Sequence, residues 1–220
     1  MPQVKRAPRW ERRKETRPSE LTAAALELFV EKGFAATKLD DIAARAGVSK
    51  GTLYLYFENK EELFKAVIRE GIVPAIAEGE QLAAGFEGDT PALLREILYA
   101  WWELIGAKPI GGIPKLIIAE ARNFPAIAAF YYDEVIVRGQ GLMKRVLQRG
   151  IDRGEFRSFD PGTLVHIVFA PLLMRVVWRH SVDCCGVASV PADRYLAEYF
   201  DLIVRGLRQD AAAAAERNHE

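Results

Sequence analysis

Half of the 220 residues are hydrophobic, enough to fill a core, which excludes an intrinsically disordered chain. The 30 basic and 30 acidic side chains cancel overall, but residues 1–70 carry 14 − 11 = +3 and residues 71–220 carry 16 − 19 = −3, so an anionic partner suits the N-terminal end. The two cysteines, Cys184 and Cys185, are neighbours, which excludes a disulfide framework and fits a reducing cytoplasm.

Residues 1–17 hold seven basic side chains against two acidic ones and read as a flexible basic arm. The start runs into Trp10-Glu11-Arg12-Arg13 rather than an apolar run, so no secretory signal is expected. From Pro18 the pattern is helical almost throughout. Pro18, Ser19 and Glu20 can open a helix. Leu21, Ala24, Ala25, Leu28 and Phe29 then recur at helical spacing, and Gly33 ends it. Thr37 can cap a second helix, with Asp40 and Asp41 in the first turn, where the helix dipole favours negative charge. Its apolar face is Leu39, Ile42, Ala43 and Ala46, and Gly47 breaks it. Ser49 caps a third helix to about Phe57. Asn59 caps a fourth, with Glu62 in capping-box position, running to Gly71.

Longer helices are expected at about 72–86, 90–106, 113–122, 125–152, 161–180 and 192–209, most with a proline near the start. Alternating β-type runs are missing, so the fold class is all-α. The most apolar stretch, 164–178, is interrupted by His166, Pro171 and Arg175 and is shorter than the roughly 20 residues that span a bilayer, so no membrane is expected. Residues 211–220 read as a disordered tail.

The informative stretch is 37–60. Two helices of about nine residues joined by a glycine-containing turn of about three have the size of a helix-turn-helix. Ala43 is small where the helices cross, Gly47 can take the positive backbone angle of the turn, and Val48 and Leu53 can plug the gap. Lys50 and Lys60 each follow a capping residue, at the positive end of a helix dipole, where a cation costs about 0.3–1 kcal/mol. Repeated twice, this points to a partner anion such as phosphate, against the plainer reading of lysines decorating solvent. Gly51 early in the third helix costs roughly 1 kcal/mol in propensity. It either leaves room for a groove or is a poor helix start. Thr52 can meet a base edge, and the Tyr54 and Tyr56 hydroxyls can reach phosphate. The competing reading packs Tyr54 inward beside Leu53.

Residues 21–34 followed by 37–63, and above all Gly47-Val48-Ser49-Lys50-Gly51-Thr52-Leu53-Tyr54 with Phe57 and Asn59-Lys60-Glu61-Glu62-Leu63, resemble the DNA-binding domain of the TetR/AcrR family of regulators. The resemblance covers about the first third of the chain. It implies about nine helices in all: a three-helix DNA-binding domain over 18–64, then a helical ligand-binding and dimerisation domain over 65–210. It implies double-stranded operator DNA as partner, with Thr37 on a phosphate, Lys50, Gly51, Thr52 and Tyr54 facing the major groove, and Tyr56 and Lys60 on or near the backbone. Arg9, Arg12, Arg13 and Arg17 would add phosphate or minor-groove contacts. Leu55 and Tyr56 depart from the tryptophan and histidine common in the family. The two last helices would pair with those of a second subunit, using Leu164, Ile167, Val168, Pro171, Leu172 and Val176 together with Tyr195, Leu196, Tyr199, Leu202, Ile203 and Leu207, although the same stripes suit ordinary packing within the chain.

Trp101, Trp102, Ile105, Phe124, Phe130, Tyr131, Phe169, Met174 and Trp178 are candidates to line a pocket for an apolar or aromatic effector. Glu120, Arg122 and His166 are possible polar anchors, although each residue singly is compatible with plain core. No cofactor is called for. His166, His180 and His219 lack metal-ligand spacing, and a redox or metal role for Cys184 and Cys185 beside His180 stays open. No nucleophile or phosphate-loop motif occurs, so the chain reads as a regulator and not an enzyme. A repressor released by its effector is the leading reading. A helical DNA-binding protein without an effector and a small helical enzyme are the alternatives.

Overall fold

A computed structural model describes residues 9–185 and 190–208. Helix follows helix, and among the described residues the β geometry is confined to one isolated bridge, Phe156 to Arg208. The first helix, α1 (Arg9–Lys32), begins well before Pro18, which lies inside it. The run from Glu11 to Lys14 consists of good helix formers, so the second half of the expected arm extends the helix despite the proline. Residues 1–8, the tail 211–220 and the side chains of Arg9, Arg12 and Arg13 lie outside what is described.

Three helices follow: α2 (Leu39–Arg45), α3 (Lys50–Tyr54) and α4 (Lys60–Gly71). Gly33 and Gly47 both adopt positive φ, +85° and +66°, which lets the chain turn sharply between α1 and α2 and between α2 and α3. Ala43 and Leu53 are buried at the crossing of α2 and α3, as the pattern required. The third helix ends at Tyr54, short of the expected Phe57.

The remainder comprises α5 (Val73–Gly85), α6 (Thr90–Trp101), α7 (Gly112–Glu120), α8 (Pro125–Tyr131), α9 (Arg138–Asp152), α10 (Pro161–Arg179) and α11 (Ala192–Leu207). Proline occupies the first turn of α5, α6, α8 and α10, where its missing N–H costs nothing. Two π-helical turns, Trp102–Gly106 and Tyr132–Val137, extend α6 and join α8 to α9. The helices expected at 90–106 and 125–152 are therefore continuous runs, each with an inserted π turn.

Two apolar cores form. One runs from α1–α4 into Ile72, Ile76, Ile105, Ile110, Ile113, Leu116, Ile117, Ile127 and Tyr131. The other joins α6, α9, α10 and α11 through residues such as Leu94, Met143, Val168, Leu172 and Phe200. Helix α10 has two apolar faces. Val165, Val168, Leu172 and Val176 point inward at spacings of three and four, and the hydroxyls of Tyr195 and Tyr199 donate to its Pro171 and Val168 carbonyls. Ile167, Met174 and Trp178 form a second stripe that faces out. At 19 residues, α10 is by length and apolarity alone long enough to cross a bilayer, unlike the shorter stretch read from the sequence. The two apolar faces explain that composition. On α11, Leu196, Tyr199, Phe200, Val204 and Leu207 pack inward, and Leu202 is 70% exposed.

Candidate nucleic-acid interface

The exposed end of the helix-turn-helix is built around α3. Leu53 is its buried root, and the other side chains leave the protein surface. Ser49 caps it: its Oγ accepts from the Thr52 N–H at 3.1 Å and lies 2.8 Å from Thr52 Oγ1. The Thr52 side chain is thus held in place. Lys50 Nζ sits 2.8 Å and 3.1 Å from the two carboxylate oxygens of Asp40, at the start of α2, and 6.0 Å from the Tyr54 ring centroid. The Asp40 hydrogen bond and charge raise the Lys50 pKa above its usual value. At Gly51 a side chain would meet nothing nearer than Ser49 Oγ at 3.9 Å, and its φ is not positive, so the fold makes no demand for glycine there. Tyr54 is 47% exposed and Leu55 83%, so Tyr54 does not pack inward. Tyr56 is half-buried against the first core.

Two side chains expected on phosphate make bonds within the fold. Thr37 does not cap α2; the N-cap position is Lys38, without a side-chain bond. Thr37 is 1% exposed, and its hydroxyl reaches back to the carbonyls of Leu28 (3.1 Å) and Gly33 (2.7 Å). Gly33 lies just past the last turn of α1, where carbonyls have no helical partner, and the Thr37 hydroxyl is within hydrogen-bond reach of it. Lys60 reaches the turn after α1 from α4. Its ammonium donates to the carbonyls of Phe34 (2.7 Å), Ala35 (3.1 Å) and Thr37 (2.9 Å) and lies 4.5 Å from the Phe34 ring centroid. An ammonium has three N–H donors, and three acceptors surround it. Partial burial lowers its pKa, with the Glu120 carboxylate acting in the opposite direction. Asn59 caps α4 as expected, its Oδ1 accepting from Glu62 N–H at 2.9 Å. The Glu62 carboxylate turns to Lys65 at 2.8 Å, so half of the capping box is replaced by an ion pair.

The candidate effector-pocket residues divide. Ile105, Phe124, Phe130 and Tyr131 belong to the core that contains the helix-turn-helix; Trp102 and Phe169 belong to the other, and Trp101 touches both. Trp101 and Phe169 meet edge-on at 6.0 Å. His166, Met174 and Trp178 lie on the outer side of α10 and Arg122 is exposed, so these four line no interior site. A shallow surface groove without room for a water molecule is lined by Phe34, Leu116, Ile117, Glu120, Phe124 and Ile127, among others. Phe34 and Phe124 meet edge-on there at 4.7 Å, and Glu120 Oε1 accepts from the Ala35 N–H at 3.4 Å. Sequence reasoning missed this contact between Glu120 and the turn after α1, because nothing in local periodicity links positions 85 residues apart. It also missed the Asp40–Lys50 pair, having read Asp40 only as a helix-dipole partner.

Comparison with known proteins agrees with this architecture. The profile for bacterial regulatory proteins of the tetR family matches residues 21–67, and the tetracyclin repressor-like C-terminal domain profile matches residues 87–183. The transcriptional repressor KstR2 of Rhodococcus jostii is 26% identical over 196 residues, 88% of this chain and 92% of that protein. The transcriptional activator FasR of Mycolicibacterium smegmatis is 39% identical over 100 residues, 46% of this chain and 43% of that protein. The fatty acid degradation regulator FadR of Bacillus halodurans shares the fold at a TM-score of 0.73 and 21% identity, over 88% of this chain and 97% of that one. An exposed, capped third helix, a helical body behind it, and sequence profiles matching both parts place the chain in the TetR family of DNA-binding transcriptional regulators.

Proposed function

We propose that the chain is a dimeric, cytoplasmic repressor that reads a roughly palindromic operator with α3 and is released by an apolar or aromatic small molecule. The observation that carries this reading is the outer face of α3, where Lys50, Gly51, Thr52 and Tyr54 stand free of the core on a helix rooted by Leu53. Two such helices related by a two-fold axis enter successive major grooves. The outward stripe of α10 and Leu202 of α11 supply an apolar face for the second subunit. Repression is supported by KstR2, a repressor matched over most of its length, whereas the activator FasR is matched over less than half. The effector acts by favouring a spacing of the two reading heads that no longer fits the operator. Trp101 and Phe169, with the π turn beginning at Trp102, are the aromatic neighbourhood offered to it; π turns are frequent at functional sites.

A gel shift with DNA from upstream of the chain's own gene tests the reading. Saturable binding that survives scrambled competitor and is lost in the Lys50→Ala, Tyr54→Ala double variant is expected. Full affinity in that variant overturns the assignment of α3. Equal affinity for scrambled DNA favours a DNA-binding protein without an operator.

A further inference from the structure

The structure assigns to Asp40 a role that rests on the reading face proposed above: it restrains Lys50 from DNA phosphate and so weakens binding to DNA of arbitrary sequence more than binding to the operator. Lys50 is the one basic residue of α3. Its ammonium is centred on the Asp40 carboxylate, within 3.1 Å of both oxygens, because the Gly47 turn brings the starts of α2 and α3 side by side. Both side chains are more than half exposed, and exposed ion pairs contribute little to stability, so folding does not account for the pair. The carboxylate lies in the first turn of α2, at the end of the helix dipole that favours negative charge.

The neighbouring charges make the pair consequential. Lys32 is bound to Asp41, Arg45 to Glu27 and Glu31, and Lys60 to three backbone carbonyls. Sequence-independent affinity scales with the number of phosphates neutralised. A phosphate that takes Lys50 from Asp40 must displace a carboxylate and then lie beside it, like charge against like. At an operator the cost is offset, because Thr52 and Tyr54 meet their bases and a carboxylate in the groove can accept from a cytosine amino group.

The test compares the full-length protein with Asp40→Asn, Asp40→Glu, Lys50→Ala and the Asp40→Asn, Lys50→Ala double variant, each first shown to melt like the parent. Anisotropy titrations against salt use a scrambled duplex and an operator selected from a random DNA pool. Asp40→Asn should bind the scrambled duplex about eightfold tighter at about 0.1 M salt, with a slope of log K against log salt steeper by about 0.9, the value of one added phosphate. Operator affinity should gain less, Asp40→Glu should match the parent, and the double variant should show no gain over Lys50→Ala. A parental slope in Asp40→Asn overturns the role. So does a gain that persists without Lys50, since that reports only a lost negative charge. A parent that binds no duplex overturns the reading face itself, and this role with it.

Discussion

At the scale of single residues, the helix-turn-helix spends part of its polar inventory on itself. Thr37 and Lys60 look like phosphate ligands in the sequence, yet Thr37 bonds the Leu28 and Gly33 carbonyls at the end of α1 and Lys60 bonds carbonyls of the turn that follows. Replacing Lys60 by methionine keeps the stem over Phe34 and deletes the ammonium. We expect a loss of about 1 kcal/mol, toward the low end for unpaired acceptors because these are only partly buried. In denaturant titrations the midpoint should fall, while the salt slope of DNA binding should stay parental. A slope shallower by about 0.9 would instead show a phosphate contact at Lys60. His180, at the end of α10, is a second case. Its Nε2 has no hydrogen-bond partner and lies against Gly111, and burial followed by the charges of Arg179 and Lys115 holds its pKa below the usual 6.5. The folded protein therefore keeps a neutral imidazole that the unfolded chain protonates more readily. The resulting stability is present above pH 6.5 and is lost as pH falls from there toward the lowered folded pKa. Melting temperatures taken downward from neutral pH should fall less steeply for His180→Gln than for the parent; parallel curves would refute the assignment.

At the scale of helices, α10 and α11 present the test of the dimer. Ile167 is 55% exposed and Leu202 70%, and with Met174 and Trp178 they leave apolar surface on these two helices. Ile167→Glu with Leu202→Glu should leave the monomer folded, since neither touches the buried stripes. Sedimentation should then show a monomer, and operator affinity should fall because one reading head replaces two. A variant that remains dimeric places the interface elsewhere. Helix identities were largely legible in the sequence, and the reasons are local. Ser49, Asn59, Asp89 and Asp160 are N-caps that make their bonds within three residues, and prolines mark four first turns. What was not legible depends on distant partners. The stripe on α10 reads as one apolar run, but only its neighbours decide that Val168 points in and Ile167 out. Likewise, the fate of Lys60 depends on carbonyls 23 to 26 residues earlier in the chain.

At the scale of the molecule, the expected division near residue 64 is not a division of the core. The apolar cluster that holds the helix-turn-helix continues through α4 and α5 into α7 and α8, and Phe34 is packed among Phe29, Phe64 and Phe124. The helix-turn-helix thus has part of its foundation in α7 and α8, at the groove where Glu120 also grips the Ala35 N–H. Such continuity lets a shift of α7 or α8 reach the turn ahead of α2 without passing only through α4. It also predicts shared stability. Phe124→Ala removes a partly buried ring, so its cost should lie near the lower end of the range of about 3–5 kcal/mol known for buried aromatics. Amide exchange should then quicken at residues 34–37, remote from position 124 in sequence but led by Phe34, whose ring packs on that of Phe124, and calorimetry should keep a single transition at lower temperature. If exchange quickens only around residue 124, or if two transitions separate, the helix-turn-helix folds as an independent unit and its link to the C-terminal helices runs through α4 alone.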